Sequence, residues 1–341
     1  MTMVEGMSPQ IASSLVVTGK GGSEVLEVLD REVEDPEPGQ LLVAVEAAGV
    51  NFMDVYQREG VYPTPTPFVL GAEGAGTVVA VTDTGSVSAA DSFAVGDRVA
   101  WAAGSTGSAS SLAIVTSASA VRVPDGVSLR TAAAVMLQGM TAHYLINSTY
   151  NLRAGEWALI HAAAGGVGQL AIQLAKAKGA TVIGTASTAE KVAKARAAGA
   201  DHVINYRDVD DVAGEVRRLT DGRGVAVVYD GVGQSTFDAS LASLRPRGML
   251  VLFGGSSGQV PPFDLQRLNR AGSLYITRPT LGHYISTREE LLERAGSILD
   301  SIAHGRLRVE IGGEYPLAEA KRAYEDLEGR KTSGKLLLLP T

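Results

Sequence analysis

HAAAGGVGQLAIQLAKAKGA, residues 161–180, sets a cluster of glycines between a short apolar stretch and an amphipathic one. Upstream, WALIH (157–161) reads as a buried strand. Downstream, Gln169 to Lys178 places Leu170, Ile172, Leu174 and Ala175 broadly on one helical side. In AAGGVG, Ala163, Gly165 and Gly168 occupy the three positions of a slightly altered GxGxxG. That pattern asks for a small residue at the turn, a side-chain-free approach to a pyrophosphate, and close packing of helix on strand. Amides exposed at the helix start then stabilise the anion. Gly166 gives further room and Val167 supports the fold. A tight turn without a ligand uses the same residues, so the surrounding pattern decides between the two.

Moving outward, strand and helix alternate. TVIGTA, HVINY, VAVVYDG, GMLVLFG and SLYITRP supply strands after WALIH, with helices at EKVAKARAAGA, VDDVAGEVRRLT and QSTFDASLASL. Six such strands predict an α/β doubly wound parallel sheet. The first third differs: ASSLVV, QLLVAVEAAGV, AGTVVAVT and DRVAW alternate with Gly, Pro and Asp turns and predict a strongly bent β domain. Residues 51–71 read as loop-rich. One helix is expected from near Leu129 and another across 139–147. The C-terminal segment reads as a helix at 287–303, a strand near 307–311, a helix at 317–328 and the strand KLLLLP, with too little core to stand alone. The expected division is a catalytic domain from 1–133 and 281–341 around a nucleotide domain at 134–280.

Composition narrows the function classes. The 341 residues carry a formal charge of -7, which argues against general affinity for nucleic acid or anionic membrane. With no cysteine there is no disulfide, no cysteine-ligated zinc and no thiol nucleophile, a composition compatible with the cytoplasm. MTMVEGMSPQ lacks the features of a secretory signal and reads as a loose start, and no run of eighteen apolar residues follows. The five histidines (His143, His161, His202, His283 and His304) fall in different predicted elements without HExxH spacing. His161 reads as a packed strand-end residue.

The end of the second strand bears on which dinucleotide is bound. GTASTAEK has no acid at the strand terminus, where an NAD site places one on the adenosine ribose. Lys191 instead suits a 2′-phosphate, with Ser187 and Thr188 as hydrogen-bonding partners and Tyr206 or Arg207 closing the pocket. NADPH is therefore expected over NADH, the alternative being that Lys191 and Arg207 are solvated surface residues. YDGVG (229–233) and FGGSSG (253–258) put Gly231 and Gly254 at strand ends on the ligand side, where Phe253 is placed to cover the nicotinamide.

In order along the chain, AGVNFMDVYQREGVYP, FVLGAEGAGTV, HAAAGGVG, VINYR, VVYDGVG, FGGSSG and SLYITRP resemble the zinc-independent medium-chain dehydrogenase/reductase superfamily, in its quinone oxidoreductase (zeta-crystallin-like) branch. The resemblance implies a GroES-like catalytic domain into which the nucleotide domain is inserted, with the active site between them. It implies NADPH-dependent reduction of quinones or related conjugated carbonyls by a cytoplasmic homodimer or homotetramer. It also implies substrate-side roles for Asn51, Asp54, Tyr56 and Tyr62, nicotinamide-side roles for Gln138 and Thr141, and phosphate-side roles for Lys191, Tyr206, Ser256 and Arg330. Ala72 stands in the slot where zinc-dependent relatives carry a ligating histidine, so no metal is expected. Some zeta-crystallins bind AU-rich RNA, but nothing in this sequence separately points to that.

Plainer readings stand beside these assignments. Tyr56 and Tyr62 suit aromatic packing as well as substrate contact, Asn51 suits an Asx turn, and Asp54 suits a helix cap or a role in orienting Asn51. Glu73 reads as structural. Three classes compete: a quinone reductase, an enone or alkenal double-bond reductase, and a nonenzymatic NADPH-binding or RNA-associated protein.

Overall fold

The computed structural model describes residues 10–82, 92–103 and 107–340. The opening stretch expected to be a loose start lies almost wholly outside them. The chain divides into two units, Met1–Leu137 with Ile285–Thr341, and Gln138–Tyr284.

The first unit begins with β1 (Gln10–Val17), β2 (Leu26–Val33), β3 (Gln40–Val50), helix α1 (Phe52–Arg58), β4 (Phe68–Val69), β5 (Glu73–Val81), β6 (Arg98–Ala102), β7 (Leu112–Thr116) and β8 (Val121–Arg122). Helix α2 (Leu129–Tyr144) crosses the boundary between the units. The second unit holds β9 (Trp157–Ile160), α3 (Gly166–Ala177), β10 (Thr181–Ala186), α4 (Ala189–Ala197), β11 (His202–Asn205), α5 (Val212–Leu219) and β12 (Val225–Asp230). It continues through α6 (Phe237–Ser243), β13 (Leu244–Leu252), α7 (Gln266–Arg270), β14 (Tyr275–Thr277) and α8 (Leu281–Tyr284). The chain then returns to the first unit with α9 (Arg288–Ala303), β15 (Ile311–Pro316), α10 (Ala320–Glu328) and β16 (Lys335–Leu339).

In the second unit the strands run in the order β11-β10-β9-β12-β13-β14, and every neighbouring pair is parallel. All six residues of β12, VAVVYD, are buried, as expected for a strand covered on both faces. Chain order runs outward in opposite directions from β9 and β12, so their C-terminal ends flank the switch point where open α/β sheets bind ligands.

The first unit is built on a bent sheet ordered β15-β16-β3-β5-β6-β8, with β7 also on β3. One edge of β3 is shared: Gln40 to Ala44 pair with β7, and Ala48 to Val50 pair with β16. Register shifts at Leu42/Val43 and Val45/Ala47 accompany the bend. Leu336 and Leu338 of β16 join Ala48, Val50, Leu15 and Tyr324 in one core, while Val43, Val45, Val78, Val99 and Trp101 form a second.

Three local expectations change. Residues 51–71 contain α1, whose start is fixed by the Asp54 carboxylate accepting the Asn51 backbone N–H at 2.8 Å. The helices expected from Leu129 and across 139–147 are one, ending in a wider π turn at Leu145–Thr149, because buried Gly139 is carried inside the helix rather than ending it. The strand expected near 307–311 is displaced to β15, where pairing with β16 places it. Among the described residues no helix is long and apolar enough to cross a membrane.

Candidate active site

Strand β9 ends at Ile160, and the chain turns through His161 and Ala162, the latter in the left-handed region at φ 49°. Gly165 caps α3 in an extended conformation. At Gly168 an added Cβ would lie 2.9 Å from both Cα and the carbonyl oxygen of Ala163, atoms that cannot swing aside. At Gly166 an added Cβ would overlap the side-chain amide of Gln138. Ala163 itself is buried and faces Gly184 of β10, where an added Cβ would come within 2.7 Å of the Ala163 methyl. Helix and strand are thus as close as the motif requires, and Val167 sits half-buried in the first helical turn. The buried Gln138 Oε1 has no hydrogen-bond partner. A helix start with a glycine cradle and an orphaned amide oxygen beside it fits a dinucleotide, and NADPH would be held here. Thr141 lies one turn further along α2 and is largely buried.

Two more strand-end turns lean on each other. Gly231 lies under the Phe253 ring, with an added Cβ 2.8 Å from Cζ, and Gly254 would meet the Gly231 backbone in the same way. Ser256 donates its N–H to the Gly231 carbonyl (3.3 Å), and Ser257 to that of Val232 (2.8 Å). Gly254 takes glycine because two backbones touch, and Gly231 because the Phe253 ring lies against it.

Beyond β10, Ser187 and Thr188 are half-buried, and Thr188 Oγ1 accepts the Lys191 N–H at the start of α4. Tyr206 donates its N–H to the Ala186 carbonyl (3.0 Å) and leaves its ring 42% exposed beside that strand end. Glu190, the nearest acid, pairs with Lys194 at 3.4 Å. Arg207 is exposed, its N–H bonded to Asn205 Oδ1. Arg330 lies in the other unit, exposed just past α10 at φ 54°.

In the first unit, Asn51 is the hub of a buried polar cluster. Its Oδ1 accepts from Lys335 Nζ (2.7 Å), and its Nδ2 donates to Glu73 Oε1 (2.8 Å) and the Gly49 carbonyl (3.3 Å). Only this amide orientation serves both an ammonium and a carboxylate. Lys335 also pairs with Glu73 Oε1, and Glu73 Oε2 accepts the Leu137 N–H at 2.6 Å. Asp54 Oδ2 accepts from the Asn51 N–H and from the Tyr324 hydroxyl (2.9 Å), while Oδ1 is buried without a partner. Burial pushes the Asp54 carboxyl up to about 7, against the opposing pull of the Asn51 N–H and Tyr324. Both amide hydrogens of Asn51 are therefore engaged internally. On α1, Tyr56 packs edge-on against Tyr62 with ring centroids 5.4 Å apart, and Tyr62 is 39% exposed.

Lys335, Tyr324 and Arg58 were not anticipated as parts of the site's support. Arg58, 1% exposed, ties α1 to α10 through a two-pronged pair with Glu328 (2.9 and 3.0 Å) and to the Gly21 carbonyl. The one available signal for Lys335 was a lone lysine at the head of the apolar run LLLL. A metal does not fit the cluster. Ala72 next to Glu73 has no ligating atom, Lys335 already supplies a cation, and among the described residues no three His, Cys, Asp or Glu side chains are placed to hold an ion.

Residues 37–152 match the model of the alcohol dehydrogenase GroES-like domain, and residues 166–297 match that of the zinc-binding dehydrogenase. The chain is 46% identical over 331 residues to a quinone oxidoreductase of Pseudomonas aeruginosa, covering 97% of this chain and 100% of the relative. It is 42% identical over 251 residues to a 2-haloacrylate reductase of Burkholderia sp, covering 73% and 75%. The crystal structure of Escherichia coli quinone oxidoreductase complexed with NADPH matches with a TM-score of 0.92 at 43% identity, covering 96% of this chain and 100% of that one.

Proposed function

We propose that this chain, which belongs to the quinone oxidoreductase (zeta-crystallin-like) family of zinc-independent medium-chain dehydrogenases/reductases, reduces quinones with NADPH and without a metal. The observation that carries this reading is the cradle at the start of α3, where Gly168 and Gly166 leave no room for a Cβ and the sheet's switch point opens. Bound NADPH supplies the hydride, so the protein needs no nucleophile of its own.

The chain's own residues bind, orient and neutralise charge. The Ala163–Gly168 loop holds the diphosphate, Gln138 and Thr141 meet the nicotinamide amide, and Phe253 with Gly231 and Gly254 bounds that ring. Ser187, Lys191 and Tyr206 take the 2′-phosphate, with Ser256 and Arg330 as further phosphate contacts. The hydroxyls of Tyr56 and Tyr62 donate to the oxyanion that develops on the acceptor. Asn51, with its hydrogens committed to Glu73 and Gly49, serves to hold the start of α1. The protein is further read as a cytoplasmic homodimer or homotetramer without a nucleic-acid partner, a reading supported by the family and by the net charge of -7.

The similarity to a 2-haloacrylate reductase favours a second reading, reduction of a conjugated carbon–carbon double bond. Steady-state kinetics crossing NADPH and NADH with a benzoquinone, a naphthoquinone and a linear enone separate the two. The quinone reading expects the highest kcat/KM with NADPH and a quinone. Turnover confined to the enone would replace it with the second reading. No turnover with any acceptor would remove both.

A further inference from the structure

Below the glycine loop lies a buried chain of hydrogen bonds that the reaction does not use. His161 is 3% exposed, and its ring bridges two strand ends and a helix. Nδ1 lies 3.0 Å from Thr185 Oγ1 on β10, and Nε2 lies 3.0 Å from Ser240 Oγ on α6. Ser240 donates to Asp230 Oδ2 (2.8 Å) at the end of β12, as does Thr236 (2.8 Å). The other carboxylate oxygen accepts the N–H groups of Val232 (2.8 Å) and Gly233 (3.0 Å). With four donors converging on it, Asp230 only accepts. The single Ser240 hydrogen is therefore spent on Asp230, so Ser240 accepts from His161. That fixes the proton on Nε2 and leaves Nδ1 to accept from Thr185.

The backbone closes the same circuit. His161 donates its N–H to the Tyr229 carbonyl (3.0 Å), and Ala163 donates to the Thr185 carbonyl (2.9 Å). The ring thus holds Thr185 on β10 directly and the Asp230 end of β12 through Ser240, while the backbone N–H groups of His161 and Ala163 tie the start of the 162–166 loop to β12 and β10. Exchanging any member for an apolar residue leaves a buried polar atom without a partner and frees one loop to shift.

We propose that His161, Thr185 and Ser240 are positioning residues for NADPH, a neutral imidazole relay that sets the 162–166 loop and the Asp230 turn at the spacing the cofactor needs. The inference rests on the NADPH reading and deepens it. Burial also holds the imidazole below its ordinary pKa, and the charged group that faces it is Asp230, through Ser240. The ring therefore keeps one tautomer through neutral pH.

The test is nitrogen-15 NMR of the His161 ring in the whole protein between about pH 5 and 8, together with NADPH titrations and kinetics of Ser240→Ala and Thr185→Val. The relay expects the proton on Nε2. It expects Kd and KM for NADPH to rise about tenfold in both variants, the loss of one buried hydrogen-bond partner, while kcat at saturating NADPH stays within about twofold. If Ser240→Ala does not fold, Thr185→Val, which keeps shape and volume, decides alone. A proton on Nδ1, folded variants that bind NADPH as the wild type does, or losses that fall on kcat rather than on KM would overturn the proposal. Wild-type protein that binds no NADPH would instead refute the cofactor reading.

Discussion

The Lys335 ammonium and the Glu73 carboxylate form an ion pair in which neither side chain has any exposure to solvent, although 262 positions separate them in the chain. Taking both charges out of water is costly, and Asn51 and the Leu137 N–H offset part of that cost with further hydrogen bonds to both partners. Lys335→Met removes the cation and strands the carboxylate. The expected loss is about 3–5 kcal/mol of unfolding free energy, measured in urea. Lys335→Met combined with Glu73→Gln should recover much of it. A single variant as stable as the wild type would show that the pair contributes nothing.

Asp54 makes stability depend on pH in a defined direction. Its carboxyl is raised to about 7 in the folded protein from 3.8, so the folded state binds a proton more tightly than the unfolded chain. This contribution is fully present below about pH 4, falls as pH rises, and is lost above about pH 7. Asp54→Asn carries no such proton. The difference in unfolding free energy between wild type and variant should therefore shift against the wild type across that window, by on the order of a few kcal/mol. A difference that stays constant from acid to neutral pH would mean the carboxyl titrates normally.

The two glycines at the start of α3 should respond unequally to alanine. At Gly168 the obstacle is the fixed backbone of Ala162 and Ala163, whereas at Gly166 it is the end of the Gln138 side chain, which can rotate away. Gly168→Ala should weaken NADPH roughly ten- to a hundredfold, matching about 1–3 kcal/mol of overpacking strain. Gly166→Ala should weaken it less. Fluorescence titration with NADPH reads both constants, and the reverse ranking would contradict the geometry.

Lys191 should govern the choice between phosphorylated and unphosphorylated cofactor. Lys191→Ala is expected to lower kcat/KM for NADPH about ten- to a hundredfold, with little change for NADH, because a charge-assisted contact to a 2′-phosphate contributes roughly 1.5–3 kcal/mol. Equal losses with the two cofactors would assign Lys191 to α4 alone.

The doubly wound sheet was legible because each of its parts has a local cause. VAVVY is apolar because both faces of β12 are covered, and Gly165 and Gly168 after β9 mark places where backbone meets backbone. Helix α1 was not legible, since its seven residues are too few for a period to show among the turn signals around them. The two helices expected from Leu129 and across 139–147 are one because Gly139 is carried inside α2, and the strand expected near 307–311 lies at β15 because pairing with β16 places it there.

Residue order therefore carried the sheet, the glycine loop proposed to hold the cofactor and the lack of an acid after β10, all properties of neighbours within one turn or one strand. Contact between distant positions set the rest. Asn51, Asp54 and Glu73 were each legible singly, and the spacing of Asn51 and Asp54 suited a cap, but no spacing relates them to Tyr324 and Lys335. They become one cluster because β16 returns to β3 and α10 meets α1, bringing partners together whose buried charges and hydrogen bonds satisfy each other only in the folded unit.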